Sequence, residues 1–345
     1  MDRPISIRDI ARAAGVSHTT VSRALRDSPL ISLEVRTQLQ KLAREMGYTP
    51  NAVAQSLKAR QTHTIGLIVT TIADPFVGRV VRGIEAVAQE AGFSLLLAVS
   101  NNDPEQEIAA MEIFHRRRVD GLIIAAARLS AAQADRASRI TIPAVLINPQ
   151  AEMPYEHFHT LAVNDYGGAQ QATRHLLALG HHAIGYIGAG NRPGSNRARL
   201  AGYRDALLAA GVAPQEAWVR IAPANHRYHS DDVSDGQALL PDVLAADISA
   251  IFCYNDMLAV GVTLACRERG ITIPEQVSIM GFDDIELAAY VTPALSTIHQ
   301  PKLRLGQLAM EMLLRLLKNE PVENAVLPTE LVVRESTAQR TICGT

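Results

Sequence analysis

The chain has 345 residues, 48% of them hydrophobic and 20% charged, with a net charge of −2; the length calls for two or three domains and the composition for an ordinary globular protein. No run of about 18 apolar residues occurs, which excludes a membrane-spanning helix, and the start Met1-Asp2-Arg3-Pro4 lacks the apolar stretch of a signal peptide. Cys253, Cys266 and Cys343 are few, odd in number and far apart, which fits a reducing cytosol and neither a disulfide framework nor a zinc site.

The charge is unevenly spread. Residues 1–60 carry ten Lys and Arg against five acids, +5, which leaves −7 for the rest. A basic end attached to an acidic body is the asymmetry expected of a DNA-binding head carried by another module.

In chain order, Ser6 and Asp9 form a capping-box-like start for a first helix whose apolar face is Ile7, Ile10, Ala11 and Ala14. Gly15 supplies a left-handed stop, and Ser17 starts a second helix within three residues. Two short helices joined by a Gly-containing turn predict a helix-turn-helix. A third helix begins near Ser32, with Val35, Leu39, Leu42 and Met46 on one face before Gly47. The second helix, in "GVSHTTVSRAL", opens on short polar groups. Such groups let a helix backbone approach base edges in the major groove. His18 and Thr19 then sit where first-turn base contacts are made, Arg23 can make a bidentate contact to guanine, and Ser17 and Thr20 suit phosphate oxygens. A small helical module exposing ordinary polar residues is the plainer reading of the same stretch.

"TPNAVAQSLKARQ" follows, with Asn51 as a cap, Val53 and Leu57 four apart, and Lys58 and Arg60 at its end. About eight residues is too short for a helix stable alone in water. The segment reads either as a linker or as a hinge helix that orders when two copies meet on DNA, with Leu57 wedged between base pairs in the minor groove.

At this point the chain resembles the lactose-repressor/galactose-repressor (LacI/GalR) family of bacterial transcriptional regulators. The head carries the resemblance in "SIRDIARAAGVSHTTVSRAL" and "MGYTPNAVAQSL". The body carries it in "TIGLIVTTIADPF", "RRRVDGLII", "RARLAGY", "IFCYNDMLAVG" and "MGFDD", in the expected order over nearly the whole chain. The resemblance implies a homodimer on palindromic double-stranded operator DNA. His18, Thr19 and Arg23 would be the base readers and Leu57 the wedge, with Asn51, Ala54 and Gln55 beside it.

From Thr64 onward, strand-like runs ("IGLIVT", "FSLLLAVS", "DGLIIAAA", "PAVLIN") alternate with helices beginning near Pro75, Pro104 and Ala131, and the alternation restarts after Val163-Asn164. Such βαβ alternation predicts parallel sheets with helices on both faces, and two successive halves predict two doubly wound lobes of periplasmic-binding-protein type. The fold class is therefore a small all-α helix-turn-helix head plus an α/β body. The boundaries expected are 1–50 for the head, 51–61 for the hinge and 62–345 for the body. Within the body, lobe 1 spans about 62–163 and 292–321, and lobe 2 about 164–291 and 322–345. "LSTIHQP" reads as a return to the first lobe, with a final crossing near Pro321.

Ligands of open α/β sheets sit beyond the carboxyl ends of strands. Asp74 and Phe76, Asn148, Arg197 and Arg199, Asn255 and Asp256, and Asp283 and Asp284 all fall there. An Arg fork facing a carboxylate can hold adjacent sugar hydroxyls from both sides. The family resemblance implies Arg199 and Asp283 in the effector pocket, with Asn255 beside them and Phe76 as a wall; the family often has a second aromatic where this chain has Val77. Asp256 and Asp284 serve equally well as helix caps, and Asp165 reads better as a cap than as a cleft residue. Arg199 is preferred to Arg197, which can equally bind carboxylates within its lobe. In "PANHRYHSDD", His226, Tyr228 and His229 either add ligand specificity or form a solvated loop. His181-His182 reads as a helix terminus rather than a metal pair.

The expected function is a cytoplasmic, DNA-binding transcriptional regulator, a repressor by family habit, controlled by a sugar-like small molecule, with no cofactor, metal, membrane or catalytic role. A periplasmic-type sugar receptor without a DNA role is the alternative, opposed by the basic head and the absence of a signal-like leader. A nicotinamide enzyme is disfavoured because Gly188, Gly190 and Gly194 in "GAGNRPG" miss the G-x-G-x-x-G spacing and Pro193 interrupts the turn. No leucine heptads follow Leu331, so a dimer is expected rather than a zipper-linked tetramer.

Overall fold

The structure is a computed structural model. It describes residues 5–48, 61–128, 133, 136–137, 139–150, 158–224 and 232–340. The chain divides into two compact units, Met1–Thr62 and His63–Thr345.

The first unit holds α1 (Ile7–Ala14), α2 (His18–Ala24) and α3 (Leu33–Glu45). Asp9 accepts the Ser6 backbone N–H at 2.9 Å at the start of α1, and Gly15 ends that helix at φ 66°. Ser17 caps α2 by accepting the Thr20 N–H at 3.0 Å, and Ser32 caps α3 through Val35. Ile10, Ala11, Val21, Ala24, Leu39 and Ala43 form the buried core. So small a core depends on its caps, each worth about 1 kcal/mol. The hinge expected at 51–61 lies almost entirely outside the described residues.

The second unit contains two parallel sheets. In chain order its elements are β1 (Thr64–Val69), α4 (Pro75–Glu90), β2 (Ser94–Val99), α5 (Pro104–Arg116), β3 (Gly121–Ala125), β4 (Ala144–Ile147) and β5 (His159–Val163). Then come α6 (Asp165–Ala178), β6 (Ile184–Ala189), α7 (Pro193–Ala209), β7 (Val219–Ala222), α8 (Asp232–Leu244), β8 (Ala250–Cys253), α9 (Asp256–Glu268) and β9 (Ser278–Met280). The chain ends with β10 (Thr297–His299), α10 (Lys302–Leu317), β11 (Ala325–Leu327) and β12 (Glu330–Val332). The first sheet has the order β11-β5-β4-β3-β1-β2 and the second β7-β6-β8-β9. Both run as near-continuous apolar strands, Ile65–Val69 and Ile184–Ala189 being buried throughout, as sheets covered on both faces require.

The strand order reverses at β1 in the first sheet and at β6 in the second, so each lobe has its topological switch point at the end of its own first strand. The loops leaving those strands, around Asp74 and Arg192, carry the cleft described below.

The lobe boundaries need two corrections. β10 was expected to return to the first lobe, but it pairs antiparallel with β12 and bridges to the second sheet through Met280–Ser296 and Asp283–His299. Leu295 and Ile298 are buried in the second core. The return therefore begins at Lys302. β11 was expected in the second lobe; instead it runs parallel to β5 with Ala325 opposite Leu161, and Val322, Ala325 and Leu327 pack on the first core. The last crossing thus falls between Leu327 and Glu330 rather than near Pro321. Strands of three residues carry too little pattern to say which sheet edge they extend; the open edge of β5 decides it.

Helix α10 lies against α4 at very close range. A Cβ on Gly306 would stand 2.0 Å from the Val80 carbonyl, and one on Gly83 2.2 Å from the Leu303 carbonyl. Only glycine permits that crossing.

Candidate functional site: a DNA-facing helix and a ligand cleft

On α2, Val21 and Ala24 face the core of the head while Ser17, His18, Thr19 and Arg23 are exposed. Ser17 and Thr20 spend part of their polarity on each other, hydroxyl to hydroxyl at 2.8 Å. His18, Thr19 and Arg23 are left as the presented edge. Asn51, Ala54, Gln55 and Leu57 lie outside the described residues.

In the body, Asp74, Phe76, Asn148, Arg199, Asn255 and Asp283 line one cavity between the lobes. Arg197 does not: it is exposed on the outer side of α7. The helical turn from 197 to 199 rotates one arginine in and the other out.

Arg199 is 3% exposed, and everything around it fixes it. Its Nε donates to Asp165 at 2.8 Å, its Nη1 donates to the Tyr254 carbonyl, and Asp283 lies 3.7 Å away. Its guanidinium carbon stands 3.6 Å from the centre of the Phe282 ring and 4.2 Å from that of Tyr254. Burial alone would lower its pKa, but the charges of Asp165 and Asp283 and the neighbouring Tyr254 carry it above the usual range, so the cation is permanent. Asp165 does not cap α6, contrary to expectation. Asn164 does that, accepting the Gly167 N–H at 2.8 Å, and Asp165 is released to hold Arg199.

Asp283 has φ 115° and Asp284 φ 54°, positions where non-glycine residues are strained and which mark constrained sites. Gln300 donates to the Asp283 carboxylate, and the Lys302 ammonium donates to the carbonyls of Asp283, of Asp284 at 2.8 Å and of Gln300 at 3.2 Å. Burial raises the Asp283 pKa, with Arg199 opposing it. The other two acids of this region are structural. Asp256 is fully buried, accepts from Thr297 and from the Ile285 N–H, and is pushed up to about 7 by that burial. Asp284 pairs with Arg334 at 2.6 Å and His299 at 2.8 Å.

From the first lobe, Asp74 caps α4 through the Phe76 N–H at 2.8 Å and meets Arg192 of the second lobe at 3.2 Å. Gln150 and Ser195 add a second clasp: the Gln150 amide donates to the Ser195 hydroxyl at 3.0 Å and accepts the Ser195 N–H at 3.2 Å. Asn255 caps α9 through Leu258 and donates to Asp232 at 2.6 Å. Sequence reasoning missed Thr70, Gln150, Arg192, Ser195, Tyr254 and Gln300, all of which line the cavity. Arg192 and Tyr254 could have been found at the ends of β6 and β8; Gln300 could not, because its strand was assigned to the wrong lobe. Thr70 Oγ1, Arg192 Nε and Gln300 Oε1 are buried without a hydrogen-bond partner among the described residues. Such atoms point to a polar ligand. The inner cavity is about 40 Å³, room for roughly three waters, so the lobes are drawn closed on it.

His181 is a core histidine. Its Nδ1 accepts from the Ser249 hydroxyl at 2.9 Å, its Nε2–H donates to the Ala338 carbonyl at 3.0 Å, and burial lowers its pKa. Among the described residues no group of three His, Cys, Asp or Glu could hold a metal, and no helix is long and apolar enough to cross a membrane. His226, Tyr228 and His229 lie outside the described residues.

A helix-turn-helix unit together with a two-lobed body enclosing a polar cleft defines a DNA-binding regulator that answers to a small molecule. Residues 6–51 match the bacterial regulatory proteins, lacI family, and residues 173–337 match the periplasmic binding protein-like domain. The chain is 37% identical to the ribose operon repressor of Haemophilus influenzae over 335 residues, 96% of this chain and 98% of that protein. It is 34% identical to the HTH-type transcriptional regulator GalR of Escherichia coli, covering 96% and 95% respectively. Among solved structures, the lac repressor dimer bound to operator and the anti-inducer ONPF superposes with a TM-score of 0.87 at 28% identity, over 97% of this chain and 100% of that one. The chain belongs to the lacI family of bacterial regulatory proteins, and its relatives are transcriptional regulators rather than enzymes.

Proposed function

We propose that this regulator works in the cytoplasm as a homodimer on a palindromic operator, and that a sugar or sugar derivative held in the cleft sets its DNA affinity. One observation carries the reading: Arg199 is clamped between Asp165 and Asp283 beneath two aromatic rings, at the floor of a cleft whose remaining unpartnered atoms are polar. An immobile guanidinium and a facing carboxylate grip vicinal hydroxyls as donor and acceptor, and apolar walls such as Phe76 cover the C–H faces of a sugar. His18, Thr19 and Arg23 are the residues assigned to base edges, with Ser17 and Thr20 on phosphates.

Ligand entry requires the lobes to part, breaking the Asp74–Arg192 and Gln150–Ser195 clasps. A ligand then stabilises one lobe arrangement over the other, and the first lobe passes that difference to the hinge. A preference of about 3 kcal/mol shifts operator affinity roughly 100-fold. The test is fluorescence anisotropy of a labelled palindrome from the upstream region of the protein's own gene, with and without a panel of sugars. Tight, salt-dependent binding that one sugar class changes by tenfold or more supports the reading. Operator binding indifferent to every sugar removes the effector assignment.

A further inference from the structure

Helix α10 starts in a way that its own stability does not explain. Its N-cap is Pro301, which offers no capping side chain, and its first turn holds no acid. Its first residue is instead Lys302, a cation at the end of a helix where the backbone dipole disfavours one. Lys302 is also buried, at 7% exposure. Burial draws the pKa of its ammonium down, and Arg79 adds to that, against the opposing charges of Asp283, Asp284 and Asp256. A serine or aspartate one residue earlier would start the helix better, and an apolar side chain would be buried at less cost.

The surroundings of the ammonium supply the reason. It has three N–H donors, and it donates to three backbone carbonyls: Asp283, Asp284 at 2.8 Å and Gln300 at 3.2 Å. Two of these carbonyls belong to the turn in which Asp283 and Asp284 sit at φ 115° and 54°. Non-glycine residues hold such angles only where the surroundings enforce them. The third belongs to Gln300, whose amide donates to the Asp283 carboxylate. Lys302 therefore grips the backbone at both ends of the Asp283–Gln300 contact. Asp283 and Gln300 line the ligand cavity, whereas Lys302 stands behind them and lines a separate hollow with Arg79, Arg304 and Arg334. It meets the ligand site only through the turn. Its own helix is rooted in the first lobe, where Leu305, Ala309 and Leu313 are buried in the core.

We propose that Lys302 is the positioning residue of the ligand site: its ammonium, seated on three carbonyls, holds the Asp283–Asp284 turn in its positive-φ form and so keeps the Asp283 carboxylate set against Arg199, 3.7 Å away. This deepens the sugar-effector reading and rests on it. The three carbonyls call for a compact triple donor, so charge alone does not substitute; an arginine would bring a planar fork.

The test is isothermal titration of the full-length protein with D-ribose, D-galactose and D-glucose, beside anisotropy of the labelled palindrome. Lys302→Met keeps the stem and removes the donors. It should bind whichever of these sugars the wild type binds about 10-fold or more weakly, the scale of one strained residue released. Its operator affinity without sugar should stay at the wild-type value. Lys302→Arg should fall with the methionine variant. In Lys302→Ala, n-propylammonium chloride replaces the missing stem and head and should recover sugar affinity. Tetramethylammonium chloride at the same concentration carries the charge without N–H donors and should not. Near-ultraviolet circular dichroism establishes which variants are folded.

Unchanged sugar affinity in the methionine variant, full affinity in the arginine variant, or equal effects of the two ammonium salts overturns the positioning role and leaves the sugar reading in place. A methionine variant that loses its fold, or loses operator binding along with sugar, makes Lys302 a general structural residue and overturns the role as well. A wild type that binds none of the three sugars overturns both readings.

Discussion

The two sides of the cleft are built on different principles. The second lobe presents charge that is already fixed: Arg199 held by Asp165, Tyr254 and Asp283, with Lys302 and Gln300 bracing the Asp283 turn. The first lobe presents mostly apolar wall and neutral dipoles, Phe76, Val77, Val80, Ile147, Thr70 and Asn148, with Asp74 as its one carboxylate toward Arg192. Val77 is buried at the cleft wall, and Phe76 is the one aromatic that the first lobe adds to the cavity lining among the described residues. On the proposed reading the difference divides the work: preorganised charge in the second lobe would supply recognition, and closure of the first lobe onto the ligand would supply the conformational signal.

The largest effect that would break this division is at Arg199. Arg199→Met keeps the apolar stem and strands two carboxylates; the loss of one partner from a buried network costs about 3–5 kcal/mol. Chemical denaturation should show that loss, and anisotropy should show operator binding retained with no response to sugar. A normal response in this variant would transfer recognition to the first lobe.

Next is a pH effect to which the first lobe contributes through Glu107. Glu107 is 2% exposed, and burial pushes its carboxyl up to about 7 although it accepts the Arg128 N–H at 3.2 Å. A folded-state value above the unfolded one means that the native state holds its proton more tightly. The stability associated with that proton is full below about 4.5 and is lost as pH rises toward 7, amounting to about 3 kcal/mol. Asp256 in the second lobe acts with the same sign. Urea denaturation at pH 5 and pH 8 should show wild type losing stability and Glu107→Gln losing markedly less; equal losses would place the whole effect on Asp256.

The smallest expected effect sharpens the closing step. Asp74→Asn keeps an oxygen for the α4 cap and removes the ionic half of the Asp74–Arg192 clasp. A largely buried pair between lobes that must also open should be worth about 1 kcal/mol, read as a several-fold change in sugar affinity and a faster association rate in stopped-flow mixing. An unchanged association rate would mean that the clasp does not gate entry.

The head was legible in detail because helix caps are local chemistry: Ser6 with Asp9, Gly15, Ser17 and Ser32 each announce a boundary within four residues, and each stands where it was read. The doubly wound lobes were legible from alternation. Of the seven residues expected at the cleft, six line the cavity, because strand ends point to one place. What escaped depended on pairing or rotation. β10 and β11 are too short to name their partners, Arg197 and Arg199 differ only by helical phase, and Asp165 was read as a cap when its neighbour Asn164 does that job. The inner shell of Gln150, Ser195 and Gln300 is assembled across lobe crossings, which no local pattern records.

The glycine contact between α4 and α10 has a mechanical consequence. One of these rods begins at the Asp74 loop and the other at Lys302, where the strand crossing ends, and no side chain separates them at Gly83 and Gly306. Without a compressible side-chain layer in between, the two helices have little room to slide or tilt against each other, so a displacement of one at the cleft end has to carry the other with it.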